Sequence, residues 1–224
     1  MRENKVVRLT LTVLATLSVA IATITFSIGL PIYFRPFYYM QIDILDIEEN
    51  TGKTREQIIE GYDEVMNYLT RPGGEFGSGD FTFSERGASH FGDCKDLFTL
   101  NTVAFIVSAA LVIVCLYLHK RRGFKYFSVA GFSPYALSGV LTLGFFSVVG
   151  ALAAIDFDFA FNVFHRTIFR SNDYWLFDPS YDEIILAMPQ EFFASCAALI
   201  AFSIIFLSAF SIVIGIRRTG RGKR

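Results

Sequence analysis

The chain has 224 residues, of which 53% are hydrophobic and 25 are phenylalanine. This composition is too apolar for an ordinary soluble domain and indicates a small membrane protein. The formal net charge of -1 hides a very uneven distribution of charge along the chain, and nothing in it predicts a nucleic-acid partner. The cysteines at 94, 115 and 196 predict no disulfide framework, because the last two fall inside apolar runs.

Four apolar runs are long enough to cross a hydrocarbon core of about 30 Å, which needs roughly 20 residues. They cover about residues 9–30, 98–118, 129–155 and 192–216. The first run contains Ser18-Val-Ala20, which resembles a signal-peptide cleavage site, but its apolar part continues to Leu30 and favours an uncleaved anchor. The predicted fold class is all-α and integral to the membrane, with four transmembrane helices in a single domain of residues 1–224.

The charges flanking these runs predict the orientation of the chain. Basic residues gather in three segments, at Arg2, Lys5 and Arg8, at His119–Arg122 and Lys125, and at Arg217, Arg218, Arg221, Lys223 and Arg224. The only acidic residue in these segments is Glu3. Lysine and arginine accumulate on the cytoplasmic side of a membrane. Both termini are therefore predicted to be cytoplasmic, and residues 31–97 and 156–191 to form an extracellular cap.

Two segments of the cap carry structural signals. The alternation of Ile42, Ile44 and Ile47 with acidic residues predicts a short strand or a segment lying on the membrane interface. Thr54-Arg-Glu-Gln57 is a capping box, and it predicts an amphipathic helix with Ile58, Tyr62 and Leu69 on its apolar face. From Ser84 the pattern is again helical and contains no proline before Leu118, which predicts one continuous rod into the second membrane span.

Two of the three histidines are the leading candidates for chemistry. A lone histidine most often only bonds a backbone carbonyl. His90 and His165, however, both lie on the predicted outer side within about a dozen residues of a membrane boundary, among ionisable and aromatic residues. Histidine titrates near pH 6.5, so one ring can accept a proton while another donates a hydrogen bond. The third histidine, His119, lies in the basic inner loop and is interpreted as ordinary.

Other chemistries are weaker interpretations of the same stretches. No motif with metal-ligand spacing supports a metal site. Cys94 lies one helical turn after His90 and is a candidate nucleophile, although a small half-buried residue is the favoured reading. The cations Arg86, Lys95, Arg166 and Arg170 form a solvated face or pair with acidic neighbours or lipid phosphate. Phenylalanines beyond the third span, at 157, 159, 161 and 164, indicate a covered apolar pocket.

Two stretches resemble the motifs of a known family. Phe83–Lys95 is similar to Phe-x-x-Arg-Glu-x-x-His-Met-x-Asp-Val-Lys, and Phe164-His165 with Trp175-Leu-Phe-Asp178-Pro-Ser-x-Asp182 and Pro189 is similar to the second motif. The family is the bacterial lipoprotein intramolecular transacylases, membrane proteins with four helices and an extracellular cap. Gly87, Phe91 and Cys94 stand where the motif has Glu, Met and Val. Glu85 is the nearest carboxylate that could replace the missing Glu, although on a different helix face.

The resemblance implies a reaction and a set of site residues. The substrate is a lipoprotein whose N-terminal cysteine carries a diacylglyceryl group, and its amine takes the sn-2 acyl chain to leave a lyso form. His90 and His165 are the implied catalytic pair. The implied substrate-binding residues are Arg86, Asp93, Lys95, Phe164, Phe169, Trp175 and Asp178. Asp93 is expected to orient a ring or to pair with Lys95. No cofactor or metal is implied, because acyl donor and acceptor belong to one molecule.

The resemblance also implies a cellular location and partners. The protein is placed in the bacterial cell membrane as a multi-pass protein with its active site outside, and its partners are diacylglyceryl-modified lipoproteins and membrane lipids. The first competing hypothesis is a non-catalytic protein whose cap binds lipid or a partner protein. The second is an acyl-enzyme formed on Cys94, which predicts that Cys94→Ala abolishes activity.

Overall fold

The computed structural model describes residues 5–170 and 172–221, and all nine helices below lie within them. The predictions that fall on Arg2, Glu3, Lys223 and Arg224 lie outside the described residues. The helices are α1 (Lys5–Tyr33), α2 (Pro36–Ile44), α3 (Ile47–Thr51), α4 (Arg55–Thr70), α5 (Glu85–Arg121), α6 (Pro134–Ile155), α7 (Phe157–Ile168), α8 (Ile184–Ala187) and α9 (Gln190–Arg221). No strand occurs in this described part, and the predicted all-α class is confirmed.

Four of these helices are long and apolar enough to cross a membrane, namely α1, α5, α6 and the Gln190–Ile216 part of α9. The third span begins later than the sequence suggests. It becomes helical at Pro134, whereas Val129 pairs with Phe132 in an isolated bridge around Gly131 at φ +83°. The left-handed glycine closes a tight turn, and proline is favoured at the first position of a helix. The turn therefore takes up the first residues of the apolar run.

The chain divides into two compact units, and the first contains the described parts of Met1–Ile28, Asn101–Ala151 and Ile200–Arg224. Its helices approach closely through small residues. A Cβ on Gly215 would lie 2.5 Å from the backbone nitrogen of Ala136, and one on Gly139 would lie 2.6 Å from the carbonyl oxygen of Ser208. Ser27 also donates to Ser203 at 3.0 Å. Small residues and hydroxyl bonds of this kind hold helices together where lipid removes the hydrophobic driving force.

The second unit, Gly29–Leu100 with Leu152–Leu199, carries the candidate chemistry. Its core is aromatic and aliphatic. The rings of Tyr38 and Tyr62 stack at 3.6 Å between centroids, and the Tyr38 hydroxyl donates to the Ala187 carbonyl at 2.7 Å. Such a ring pair adds about 0.5–1.5 kcal/mol beyond the burial of its area. These contacts join α2, α4 and α8.

The two structural signals of the predicted cap have different outcomes. The capping box is confirmed, since Thr54 accepts from the Gln57 backbone and the Gln57 side chain accepts from the Thr54 backbone. The strand alternative for the isoleucine segment is wrong. Pro36 begins α2, and this helix contains Ile42 and Ile44. Ile47 begins α3, directly after Asp46 at φ +50°. Two-residue spacing over so few positions does not separate a strand from two short helices.

The predicted rod is present as α5, which runs unbroken for 37 residues. Residues 85–96 precede the apolar run, and they bring Gly87 and His90 to a buried face of the second unit. The connection between α6 and α7, in contrast, is not a continuous helix. Asp156 is extended at φ -149° and ψ 95° and caps α7 by accepting from the backbone of Phe159. The break at Asp156 ends α6, so that α7 is a separate helix.

Candidate active site

The structure brings the two predicted histidines together, although they are 75 residues apart in the chain. The first turns of α5 supply His90 and α7 supplies His165, and their ring centroids lie 6.0 Å apart. Both side chains are buried, with exposed fractions of 5% and 9%. The separation allows one substrate group to contact both imidazoles.

Aromatic rings enclose this pair. Phe169 contacts both, at 4.6 Å from His90 and 5.6 Å from His165 between centroids. Phe177 lies 5.5 Å from His90, and Trp175 lies 4.8 Å from His165. The result is a low-dielectric pocket wall in which hydrogen bonds to a developing charge are strong.

The two imidazoles differ in their hydrogen bonds. Nδ1 of His165 lies 2.8 Å from the carbonyl oxygen of Phe161. A carbonyl only accepts, so Nδ1 carries the proton and Nε2 of the neutral ring keeps a lone pair. In His90, Nε2 lies 3.4 Å from Cys94 Sγ, while Nδ1 is buried without a hydrogen-bond partner among the described residues. A buried polar atom of this kind calls for an explanation, and a bound substrate group is one.

Burial shifts the pKa values of these groups. Loss of solvent lowers the pKa of His90 to about 4, helped by the proximity of His165 and opposed by Asp93. Burial likewise lowers the pKa of His165, against the bond to Phe161. Both rings are therefore neutral near pH 7. Cys94 lies ahead of the apolar run of α5, and burial raises the pKa of its thiol to about 12.

The charged residues predicted to bind substrate are mostly engaged elsewhere in the second unit. Arg86 pairs with Asp173 at 2.6 Å. Lys95 donates to the Gly73 carbonyl at 2.6 Å and lies over the Tyr68 ring. Asp93 accepts from Asn172 at 3.3 Å, so its carboxylate is held by Asn172 instead of by Lys95 or an imidazole.

The remaining predicted binding residues divide into two groups. Phe169 and Trp175 contact the histidines, as above, and the ring of Phe164 lies 5.3 Å from His165 although its side chain is 52% exposed. Asp178 is different, because its carboxylate accepts from the backbone of Ser180 and forms a turn. Its position is explained by local structure alone.

Asp182 is a residue that sequence reasoning did not assign to the site. Its buried carboxylate accepts from the backbone of Ser84 at 2.7 Å, at the start of α5. A Cβ on Gly87 would lie only 2.4 Å from Oδ1 of Asp182. The carboxylate beside Gly87 is therefore that of Asp182, whereas Glu85 is exposed. The sequence contained one hint of this role. The family motif has a Glu where this chain has Gly87, and the second motif ends with the carboxylate of Asp182.

A cavity of about 300 Å³ adjoins the histidine pair. Phe169 and Trp175, which contact the imidazoles, also line it, and Arg166 and Arg170 contribute charge. Among the described residues, no three His, Cys, Asp or Glu side chains converge as metal ligands would. The arrangement offers a base, a hydrogen-bond donor and an apolar surround, which are the parts that acyl transfer needs.

Comparison with known proteins gives matches in both sequence and fold. The family model described as lipoprotein intramolecular transacylase Lit matches residues 13–193. The solved structure of the membrane-integral lipoprotein intramolecular transacylase Lit from Bacillus cereus is 28% identical, with a TM-score of 0.85 over 96% of each chain. Two variants of that protein, in which a histidine is replaced by arginine or by alanine, are 27% identical with TM-scores of 0.78. They cover 96% of this chain and 92% and 94% of their own. No curated protein matches.

Proposed function

Because this chain belongs to the lipoprotein intramolecular transacylase family, we propose that His90 and His165 together carry out its acyl transfer. The protein is an acyltransferase integral to the membrane, and family membership sets aside the non-catalytic hypothesis. The observation that carries the assignment is the 6.0 Å separation of two buried, neutral imidazoles within an aromatic enclosure.

The substrate is the N-terminal cysteine of a lipoprotein, which carries a diacylglyceryl thioether and a free amine. The amine nitrogen attacks the carbonyl carbon of the sn-2 ester and forms an N–C bond. The tetrahedral intermediate then collapses, and the bond between the acyl carbon and the sn-2 oxygen breaks. The products are an amide and a lyso-glyceryl hydroxyl. Confinement among Phe169, Trp175 and Phe177 aligns amine and ester, and alignment of this kind supplies a large part of a reaction barrier.

His165 is the general base in this proposal. Its Nδ1–H is held by the Phe161 carbonyl, which leaves Nε2 as the acceptor for the proton of the attacking amine. The same Nε2–H then returns that proton to the departing sn-2 oxygen. The proton balance closes within the site, and no cofactor takes part.

His90 is the hydrogen-bond donor to the developing oxyanion. Its low pKa disfavours the imidazolium, so the ring acts as a neutral donor. When the Cys94 thiol donates to Nε2, the ring proton lies on Nδ1, the atom that has no partner among the described residues. A preorganised donor at a developing oxyanion contributes about 10²–10³ in rate.

The acyl-enzyme hypothesis on Cys94 fits the site less well. Only the thiolate is an effective nucleophile, and a thiol whose pKa is raised to about 12 carries almost none at neutral pH. We therefore assign Cys94 a contact with His90 and no covalent role. The active site is further proposed to face the outside of a bacterial cell membrane. His90 precedes the second apolar run and His165 follows the third, whereas the basic residues lie at the other ends of these runs.

The test is mass spectrometry of lipoprotein N-terminal peptides from cells that lack any other N-acylating enzyme. The intact protein should convert the diacylglyceryl cysteine to the N-acyl, monoacylglyceryl form. His90→Ala and His165→Ala should each lower the conversion rate at least 100-fold, the scale of lost acid–base catalysis. Cys94→Ala should retain activity within a few-fold.

The matched control is His119→Ala, which removes the third histidine, whose ring bonds the Phe124 carbonyl in the first unit. It should leave conversion unchanged at equal expression. Activity that survives in both His90→Ala and His165→Ala would refute the pair, and loss of activity in Cys94→Ala would favour the acyl-enzyme.

A further inference from the structure

The helix that carries His165 begins where two membrane spans end. α7 starts two residues after α6, and the Asp158 carboxylate in its first turn accepts from the side chain of Gln190, the first residue of α9. One turn later, the rings of Phe161 and Phe193 are 5.9 Å apart. Both α6 and α9 cross the membrane, so these contacts hold the first two turns of α7 at the membrane boundary. Because Asp156 is extended, the axis of α7 can differ in direction from the axis of α6.

The two faces of α7 are both apolar but differ in what covers them. The inner face is packed, with His165 buried against Phe161 at 4.1 Å between centroids. The outer face carries Phe159, Val163 and Phe164, with exposed fractions of 67%, 45% and 52%. An isolated exposed phenylalanine needs no explanation, but a continuous apolar face on one helix indicates a partner.

The structure points to lipid as that partner. The last turn of α6 already exposes Leu152 and Ile155, at 63% and 83%, in a helix that spans the membrane. The outer face of α7 continues this lipid-facing surface after a single polar residue, Asp156. Arg166 is exposed on α7, and Arg170 follows its end. Arginines beside an apolar face are typical of helices that lie in the interface of an anionic membrane.

We propose that α7 lies in the plane of the membrane interface, with Phe159, Val163 and Phe164 among the lipid acyl chains. An interfacial helix sinks its apolar face about 5–10 Å into the boundary, and a helix with its side chains is about 10–12 Å across. His165 on the opposite face then lies at the level of the lipid glycerol. The sn-2 ester of a diacylglyceryl anchor occupies that level. This inference rests on the proposed role of His165, and it means that the substrate reacts while its acyl chains remain in the leaflet.

Photocrosslinking tests the position of α7 without any turnover. The photoreactive residue p-benzoylphenylalanine replaces Phe159 or Val163 in the full chain, in vesicles of phosphatidylethanolamine and phosphatidylglycerol. We expect acyl-chain adducts at both positions, identified by mass spectrometry. The control is the same residue at Glu60, an exposed position on α4, where no lipid adduct is expected. Absence of adducts at 159 and 163, or equal adducts at 60, would overturn the inference.

Kinetics in the same vesicles tests the consequence for the substrate. Phe159→Gln should raise the KM for a diacylglyceryl lipopeptide about tenfold with little change in kcat, since it weakens immersion but leaves the histidines in place. Tyr181→Gln, which removes another exposed aromatic ring, should change neither constant. An unchanged KM in Phe159→Gln contradicts the inference. Because crosslinking needs no catalysis, an error in the histidine assignment would leave the crosslinking result intact.

Discussion

The unequal hydrogen bonding of the two imidazoles is the feature of single residues that most affects the chemistry. His165 has one nitrogen fixed by a backbone carbonyl, whereas the buried Nδ1 of His90 has no partner among the described residues. In the proposed mechanism, His165 is thus oriented as a proton acceptor before substrate arrives, and His90 offers its Nδ1 to the substrate. The two imidazoles are similarly buried, but their different hydrogen bonds suit them to different roles.

Burial of the imidazoles predicts a loss of stability in acid. The pKa of His90 in the folded protein is about 4, below the unfolded value near 6.5. The unfolded chain therefore binds the proton first as the pH falls, and the free energy of unfolding decreases between about pH 6.5 and pH 4. The decrease is on the order of 3 kcal/mol, by linkage. Thermal unfolding in detergent across this range measures it, and His90→Gln should flatten the dependence.

NMR of ¹³C-labelled histidine provides the direct measurement behind that prediction. The His90 resonance should titrate near pH 4, and the His165 resonance should titrate below 6.5. The His119→Ala variant identifies the third signal. A His90 midpoint near 6.5 would contradict both the neutral donor role and the acid instability.

At the scale of elements, the start of α5 is held against the segment that contains Asp182. Oδ1 of Asp182 and the Phe177 ring occupy the space in which a Cβ on Gly87 would lie, at 2.4 Å and 3.0 Å. This close approach positions His90, which is one turn further along the same helix. The glycine at 87 is needed for space, since the helix itself would prefer alanine.

Gly87→Ala is expected to destabilise the protein by about 1–3 kcal/mol, because the buried Asp182 must shift and lose its bond to the Ser84 backbone. Gly92→Ala is the matched control on the same helix. A Cβ there meets only the Tyr68 hydroxyl at 3.5 Å, an ordinary contact, so the change should be neutral or slightly stabilising. Unfolding in detergent compares the two variants, and equal effects would show that crowding at Gly87 is unimportant.

The elements also show what a sequence can predict. The apolar runs, the capping box at Thr54 and the rod of α5 depend on local spacing, and they were predicted. The sequence of α2 and α3 does not exclude a strand, because its short apolar pattern fits both periods and packing against α4 and α8 decides between them. The pairing of His90 with His165 was inferred from shared depth and from the family motifs. The contacts of Asp182 with Ser84 and of Arg86 with Asp173 join residues far apart in the chain, so local spacing does not reveal them. Only comparison of the two family motifs hinted at Asp182.

At the scale of the whole molecule, the distribution of charge predicts how the chain crosses the membrane. The last turn of α5 and the loop to α6 contain His119–Arg122 and Lys125, whereas the segments between the other spans contain almost all the acidic residues. The positive-inside rule then predicts that this segment and both termini are cytoplasmic.

Labelling with a membrane-impermeant maleimide on intact cells tests this topology. Glu60→Cys, in the predicted outer segment, should react at once, while Lys120→Cys should react only after the membrane is permeabilised. The native Cys94, Cys115 and Cys196 are buried or half-buried and provide the background signal. The reverse pattern of labelling would invert the topology and place the histidine pair on the cytoplasmic side.

The ring of Trp175 has a consequence for optical experiments. It is the only tryptophan in the chain, and it lies 4.8 Å from the His165 imidazole. Indole fluorescence, excited at a wavelength that the tyrosines do not absorb, therefore arises from the proposed active site alone. Emission should shift to shorter wavelengths when acyl chains displace water from the adjoining cavity, and it should be quenched when His165 becomes charged. If the proposed site is correct, Trp175 reports substrate binding without any added label.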